Sequence, residues 1–350
     1  MTERVGKQAM FLIAVASAIW LVASYTNTVD GRTQVLQVRV DYIEIVTSQF
    51  SLVRPVRKVI RKELGTRTYR LSSWRLRLAC EKARVFVKGV YPEGITKCYP
   101  VVLPRGYGTV ERAMTNPAVY VVQVSDGNDR LYKRAKAMQK PLCESGGARW
   151  VTAAYRKAMS ALQYDLAHAG KDGIVVGTHE IHGYIDGAPG SAMHRMVVAM
   201  HGRIEQRVRL LRRMTNECGG DLRAEALYLL EFSGRPRIAI AEAMKRMDDS
   251  NALVRNNAWR IFSDFSKYMT RTDWRRVVPN ICHIVRDGTF FDRNKGLFAL
   301  YWFLRETPTG ARWISPKCRY VLGEIAATSE SPELRPIAEK IVRRIGGIER

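Results

Sequence analysis

A repeated motif in the second half of the chain restricts the fold more than any other feature of the sequence. Four times, an Arg is followed three residues later by Ala or Gly at the start of an amphipathic stretch, and the arginines are separated by 32, 38 and 42 residues. A repeat of this length indicates a helical solenoid, in which each unit stacks on its neighbours. The four segments are Leu222–Ala226, Val254–Ala258, Asp292–Gly296 and Leu334–Ala338.

An acidic residue stands six positions before the Arg in three of the four units, and the fourth unit has Ser329 there. An acid in a turn can accept hydrogen bonds from the N–H groups that begin a helix. An Arg one turn into that helix can reach the acid of its own or the next unit. We therefore predict a framework built from the acids and arginines of the repeat: Glu217, Arg223, Asp249, Arg255, Asp287, Arg293 and Arg335.

This pattern resembles HEAT repeats, the armadillo-like class of helical solenoid, whose units carry a turn acid, a Val-Arg pair and a small residue. The match is best from Asp249 to Ala258 and good from Leu334 to Ala338. It departs at Asp292, where an acid replaces the usual aliphatic residue. More loosely, the chain resembles exported bacterial proteins of this type. The resemblance implies a right-handed superhelix of paired helices, and most such solenoids bind other proteins.

The chain divides into two regions with different patterns. Residues 33–145 are predicted to form a small mixed α/β region, because β-branched runs at Leu36–Tyr42, Arg84–Val90, Tyr99–Leu103 and Ala118–Val124 are separated by turn residues. Residues 148–347 follow a helical period to the end. The expected fold is therefore mainly α, with an α-α superhelical solenoid preceded by the α/β region.

The first residues have the layout of a secretory leader. Arg4 and Lys7 precede an uncharged run from Ala9 to Ala23, and small residues at Ala23 and Ser24 suit a signal peptidase. The run is shorter than the roughly 20 residues that a membrane-spanning helix requires. Residues 1–24 are thus predicted to be a signal peptide or an N-terminal anchor. The protein is expected to be exported, either to the periplasm or to the cell membrane.

The chain is strongly basic, with 57 Lys and Arg against 33 Asp and Glu and a net charge of +24. Such a field favours anionic partners. The basic stretch from Arg54 to Arg84 has Tyr69 and Trp74 interleaved, and it is the candidate contact for a polyanion. A solvated face, or juxtamembrane charge if the leader is an anchor, is the alternative explanation of the same pattern. The candidate contact residues are Arg54, Arg57, Lys58, Arg61, Lys62, Arg75 and Arg77.

Six cysteines are compatible with disulfides in an exported protein. Cys282 and Cys318 fall on predicted apolar helix faces, and for these two we expect small, buried, unpaired side chains.

Histidines give a weaker pointer to a metal site. His179 and His182 lie in a Gly-rich segment predicted to be a loop, and His194 on the next helix could complete a site. No Cys or carboxylate pair accompanies them at ligand spacing, so surface or loop roles are favoured, and no metal or cofactor is expected.

The sequence therefore predicts a non-enzymatic scaffold of the cell envelope that engages a macromolecule through its helical repeats. A protein partner is expected first, an anionic polymer or membrane surface second, and nucleic acid last. The alternatives are a basic HEAT-like nucleic-acid-binding protein and, behind it, a His-dependent metal enzyme.

Overall fold

The computed structural model describes residues 28–29, 32–33, 37–65, 68–70, 73–102, 116–126, 143, 145–167 and 178–347. Over these residues the chain is mainly helical with a small sheet region, as the sequence predicts, and the packing of its helices is consistent with a solenoid. The predicted leader, residues 1–24, lies outside this part of the chain.

Two small sheets precede residue 146 in the chain. The first pairs β1 (Thr28–Val29) with β2 (Arg32–Thr33). The second contains β3 (Gln37–Thr47), β4 (Thr68–Arg70), β5 (Gly94–Val102) and β6 (Asn116–Asp126) in the order β4-β3-β6-β5. Strands β3 and β6 are parallel, whereas β4 and β5 run antiparallel to their neighbours. The strands predicted at Leu36–Tyr42, Tyr99–Leu103 and Ala118–Val124 are thus confirmed within the described residues.

Helices α1 (Val53–Leu64) and α2 (Trp74–Val90) cover one face of the larger sheet. The prediction of a strand at Arg84–Val90 is wrong, because this segment is the second half of α2. Its β-branched residues favour a strand locally, but the buried positions of α2 follow helical spacing, and tertiary packing decides. Those positions are Leu76, Ala79, Ala83 and Val87.

The other face of the same sheet packs on the helical body. In β6, Tyr120, Val122 and Val124 face α1 and α2, while Val119 and Val121 join the core of the helices. This alternation is the period of two expected for a strand that is covered on both sides. The sheet is therefore an inner layer between two groups of helices.

The helices of the helical body are α3 (Gly146–Ala167), α4 (Ala192–Gln206), α5 (Val208–Glu217), α6 (Gly220–Leu229), α7 (Pro236–Arg246), α8 (Ala252–Asp264), α9 (Arg271–Asp287), α10 (Phe290–Glu306), α11 (Pro316–Thr328) and α12 (Leu334–Ile345). Consecutive helices pack in pairs: α5 with α6, α7 with α8, α9 with α10, and α11 with α12. The second members, α6, α8, α10 and α12, also stack on one another as a row, which α3 extends beside α6.

Side-chain caps fix where several of these helices begin. Asn251 accepts hydrogen bonds from the first N–H groups of α8. Thr270 and Thr289 form capping boxes with Asp273 and Asp292 at the starts of α9 and α10. Each such cap satisfies backbone donors that the helix itself leaves unpaired.

A β-hairpin interrupts the helical region, so the prediction of an unbroken helical pattern from Ala148 is wrong at this point. Strands β7 (Thr178–Ile181) and β8 (Tyr184–Gly187) pair across a two-residue turn. His182 and Gly183 occupy that turn with φ of 48° and 89°. Positive φ at both central residues is the geometry of a type I′ turn, which suits the twist of a tight hairpin.

The sheet layer is joined to the end of the helical body by a buried carboxylate. Glu44 of β3 is 1% exposed, and its Oε2 accepts hydrogen bonds from Ser329 Oγ at 2.9 Å and from the backbone N–H groups of Glu330 and Ser331 at 3.0 and 3.2 Å. Burial raises the pKa of Glu44, although the charge of Arg293 and these hydrogen bonds oppose the effect. The interface is therefore specified by polar contacts as well as by apolar packing.

All six cysteines form disulfides: Cys80–Cys98, Cys143–Cys218 and Cys282–Cys318. The expectation that Cys282 and Cys318 are unpaired buried residues is wrong. They lie on α9 and α11, which pack side by side, and this brings their Cα atoms to 5.3 Å. A single helix face cannot reveal such a pair, because the two residues meet only when the helices pack.

Candidate functional site

Two framework arginines, Arg223 and Arg255, form buried ion pairs with an acid of the next repeat unit. Arg223 Nη2 donates to Asp249 Oδ1 at 2.9 Å, and its Nη1 donates to the carbonyl of Cys218 at 2.6 Å. Arg255 donates to both carboxylate oxygens of Asp292, at 3.1 and 2.6 Å, and to the carbonyl of Asp249 at 2.7 Å. Because these arginines and acids are buried, they hold helices together and leave no group for a ligand.

Asp287 does not pair with a framework arginine, although the repeat register predicts that it should. It ends α9, where His283 Nδ1 lies 2.8 Å from its Oδ2 and Arg286 Nε donates to its Oδ1 at 2.7 Å. Burial would raise the pKa of Asp287, but the hydrogen bonds of His283 and Arg286 outweigh it and hold the pKa below its usual range. Arg293 instead donates to the carbonyls of Val285 and Thr47 and so joins α10 to the sheet.

The two outermost framework residues lie at the surface. Glu217 is exposed. Arg335 is exposed as well and pairs with Glu339 on its own helix, with Nε 2.8 Å from Oε1. These two framework residues therefore lie outside the buried contacts between helices. Helix α12 is the last helix in the described part of the chain, and the ion pair of Arg335 with Glu339 stays within it.

A second buried polar group lies in the same row. Arg260 Nε on α8 donates to Glu231 Oε1 at 2.8 Å. Asn294 on α10 donates to Glu333 Oε2 at 3.0 Å. Lys295, 1% exposed, completes the group, and burial lowers its pKa to about 8. Burial likewise raises the pKa of both Glu231 and Glu333 to about 8. These groups face the interior and are a structural network, with a stability that depends on pH.

Replacing Glu333 with Gln should change how stability depends on pH. Because the folded-state pKa of Glu333 lies above its unfolded value, its contribution is fully present below about pH 4.5 and is lost as pH rises toward 8. In Glu333→Gln that loss is absent. The difference in free energy of unfolding between pH 5 and pH 8 should then shrink by roughly 3 kcal/mol, as measured by urea denaturation.

The matched control is Glu306→Gln on the exposed end of α10. It should leave the pH dependence as it is in the unmodified protein. Identical pH profiles for the two variants would contradict the assignment of Glu333 as a buried carboxyl with a raised pKa.

Of the three candidate metal ligands, two have described side chains. His182 is exposed at the tip of the β7–β8 hairpin. The Nδ1 of His194 lies 2.9 Å from Asp186 Oδ2 at the start of α4. The side chain of His179 lies outside the described part of the chain. Among side chains that are described, no group of three or more His, Cys, Asp or Glu residues could hold a metal ion.

Five of the seven candidate polyanion contacts do come together. They line a cleft of about 590 Å³ along α1, here called the α1 cleft, together with Glu330. Arg57 and Arg61 pair with Glu330, and Arg57 Nη2 also donates to the carbonyl of Thr328 at 2.6 Å. Three further cations, Arg54, Lys58 and Lys62, project from the exposed face of α1. The remaining two candidates, Arg75 and Arg77, lie on α2 outside the cleft, and Arg75 packs over the ring of Trp74.

A second cleft, of about 500 Å³, opens where β3 and β6 end; it is called the strand-end cleft below. Sequence reasoning missed it, because its two walls are more than 150 residues apart in the chain. Its lining residues are Val46, Thr47, Ser48, Gln49, Val124, Ser125, His283, Arg286, Asp287, Gly288 and Lys317. The sequence gives one weak indication of this cleft: Ser48 and Gln49 are polar residues that directly connect the end of β3 to the start of a helical turn.

Within the described ranges, no helix combines the length and the apolar character needed to cross a membrane. Comparisons with models of known protein families, with curated proteins and with solved structures find no match for this chain.

Proposed function

We propose that this protein is a non-enzymatic binding scaffold of the cell envelope and that it holds an acidic macromolecule at the α1 cleft. The observation that carries the proposal is the charge of this cleft, where five cations face the single carboxylate of Glu330. Two of the cations are held by that carboxylate, and three project outward. A fixed basic surface of this kind steers acidic partners and contributes to their affinity.

The scaffold part of the proposal takes the helical body to be a right-handed, HEAT-like solenoid. It is supported by the consecutive pairing of helices, by the stacked row and by the Arg-to-acid bonds between successive repeat units. In such a solenoid each unit buries its apolar stripe only against its neighbours. The buried framework arginines then stabilise the fold. The partner is contacted by exposed residues that do not belong to the framework. A protein with an acidic surface is the first expected partner.

Export is the second part of the proposal. It is supported by the leader pattern in residues 1–24 and by the pairing of all six cysteines, since disulfides persist in oxidising compartments. A reporter that is active only outside the cytoplasm, fused after residue 40, should therefore be active. Retention of the full-length protein in the cytoplasm would contradict export and favour the nucleic-acid-binding alternative.

The binding surface can be tested with a triple variant, Arg54→Ala, Lys58→Ala and Lys62→Ala. All three side chains are exposed, so the fold should be unchanged. Binding to poly-L-glutamate, a model acidic polypeptide, should weaken by about tenfold in moderate salt, because three favourable charge contacts are lost. Fluorescence anisotropy over a series of salt concentrations measures both the affinity and its salt dependence.

A second triple variant controls for net charge: Arg203→Ala, Arg209→Ala and Arg213→Ala. These residues are exposed on α4 and α5, and the total charge falls by the same amount. The control should bind poly-L-glutamate almost as well as the unmodified protein. Equal weakening in the two variants would contradict a specific surface on α1. The nucleic-acid-binding alternative would be favoured if duplex DNA bound more tightly than poly-L-glutamate and if the α1-cleft variant weakened that DNA binding.

A further inference from the structure

The strand-end cleft lies at a place in the fold where small ligands are commonly bound. The parallel strands β3 and β6 both end there, at Thr47 and Asp126, and in open α/β sheets ligands bind outside the carboxyl ends of such strands. The volume of about 500 Å³ falls within the range of small-molecule sites. The helical body closes the opposite wall with residues of α9 and α11.

The charges of this cleft favour an anion. Its one carboxylate, Asp287, already accepts hydrogen bonds from Arg286 and lies 2.8 Å from His283 Nδ1. Arg286 and Lys317 therefore leave a net positive charge in the cleft. Hydroxyl groups of Ser48 and Ser125 line the sheet side and can donate to an anionic oxygen.

Lys317 is placed unusually for a residue that only stabilises its own helix. It stands next to Pro316 in the first turn of α11, a turn that contains no acid. A cation at a helix N-terminus is disfavoured by the helix dipole, which favours negative charge there. Its exposed side chain lines the cleft, so a bound anion would offset this repulsion.

A disulfide holds the two helices of this basic wall, α9 and α11, at a fixed separation. Cys282 precedes His283 on α9, Cys318 follows Lys317 on α11, and the two cysteines are bonded to each other. A wall fixed in this way loses little conformational freedom when a ligand binds, and preorganisation of this kind favours affinity.

We propose that the strand-end cleft binds a small anionic metabolite of the phosphate-monoester class, with its phosphate between Lys317 and Arg286. The remainder of the ligand lies along Ser48, Gln49 and Ser125. This site is separate from the α1 cleft, and its occupant is a small molecule instead of a polymer.

The experiment uses the full-length protein and titrates glycerol 3-phosphate, with inorganic phosphate and glycerol as comparison probes, by isothermal titration calorimetry. We expect saturable binding of one glycerol 3-phosphate per chain, weaker binding of inorganic phosphate and none of glycerol. Lys317→Ala should weaken glycerol 3-phosphate binding by about tenfold, since a charged hydrogen bond is lost. Gln49→Trp, which fills the cleft from an exposed position without a change of charge, should abolish it.

Lys58→Ala removes the same charge from the α1 cleft and should leave glycerol 3-phosphate binding unchanged. Binding that fell equally in Lys58→Ala and Lys317→Ala, or that persisted in Gln49→Trp, would overturn the proposal in favour of diffuse surface attraction. The absence of saturable binding to the unmodified protein would overturn it outright. Poly-L-glutamate binding by Lys317→Ala should be normal, so this test and that of the α1 cleft can fail separately.

Discussion

Arg255→Ala should lower the free energy of unfolding by about 3–5 kcal/mol, the loss expected when one partner of a buried ion pair is removed. Arg255 is 3% exposed and Asp292 is fully buried. Without the guanidinium, the carboxylate of Asp292 retains only the donors of Thr289, and the carbonyl of Asp249 loses the bond from Arg255. Chemical denaturation followed by circular dichroism measures the change.

Arg335→Ala is the control, because the same residue type occupies the same repeat position at the surface and pairs only with Glu339. Its loss should be below about 1 kcal/mol. Adding Asp292→Asn to Arg255→Ala should restore part of the stability, since the uncompensated buried charge is then removed. Equal losses for Arg255→Ala and Arg335→Ala would contradict a stabilising role of the buried Arg255–Asp292 ion pair.

Removing the Cys143–Cys218 disulfide by a double change to Ala should destabilise the protein by ~4 kcal/mol. This bond joins residues 75 positions apart, and by the chain-entropy relation a longer loop restricts the unfolded chain more. The same change at Cys80 and Cys98, which are 18 positions apart, should cost ~3 kcal/mol. Urea denaturation of the two oxidised double variants gives both values.

The third bond, Cys282–Cys318, spans 36 positions and should fall between the other two. A reversed order would mean that packing around each bond, and not loop length, sets its contribution. Unchanged stability in all three double variants would show that the bonds do not constrain the unfolded chain.

The sequence could predict the helical body because its apolar residues repeat at helical spacing over many turns. It could predict β5 and β6 for a similar reason, since Tyr99 and Ala118 begin short β-branched runs bounded by turns. The same argument failed for Arg84–Val90, where residue preference and burial disagree. There the face formed by Ala83 and Val87 packs on the sheet, and only the tertiary structure shows that this face is helical.

The repeat register identified the arginines that form buried ion pairs, but it did not identify every acid that pairs with them. Asp249 lies in the turn between α7 and α8, where its carboxylate accepts a hydrogen bond from Arg223. Asp287, at the equivalent position in the register, ends a helix, and its carboxylate is taken by Arg286 and His283 of the same helix. Arg255 therefore binds Asp292, the residue at which the repeat departs from its pattern.

The strand-end cleft could not be inferred from spacing at all. Gln49, Ser125, His283 and Lys317 come from four separate elements and meet only when the sheet packs on α9 and α11. The basic residues of the α1 cleft could be predicted from the sequence, because they lie on one face of a single helix and helical spacing alone places them together. Local sites are readable from a sequence, whereas sites assembled between layers are not.

The contact of Glu44 with Ser329, Glu330 and Ser331 has a consequence for the order in which the chain matures. Strand β3 is synthesised early, but the groups that satisfy its buried carboxylate lie 285 to 287 residues later. In a chain that emerges from its N-terminus, the carboxylate of Glu44 therefore lacks these donors until the segment before α12 has been synthesised. Contacts of such long sequence range slow folding and prolong the exposure of apolar surface. The nascent protein should therefore depend on holding chaperones until α11 and α12 are complete.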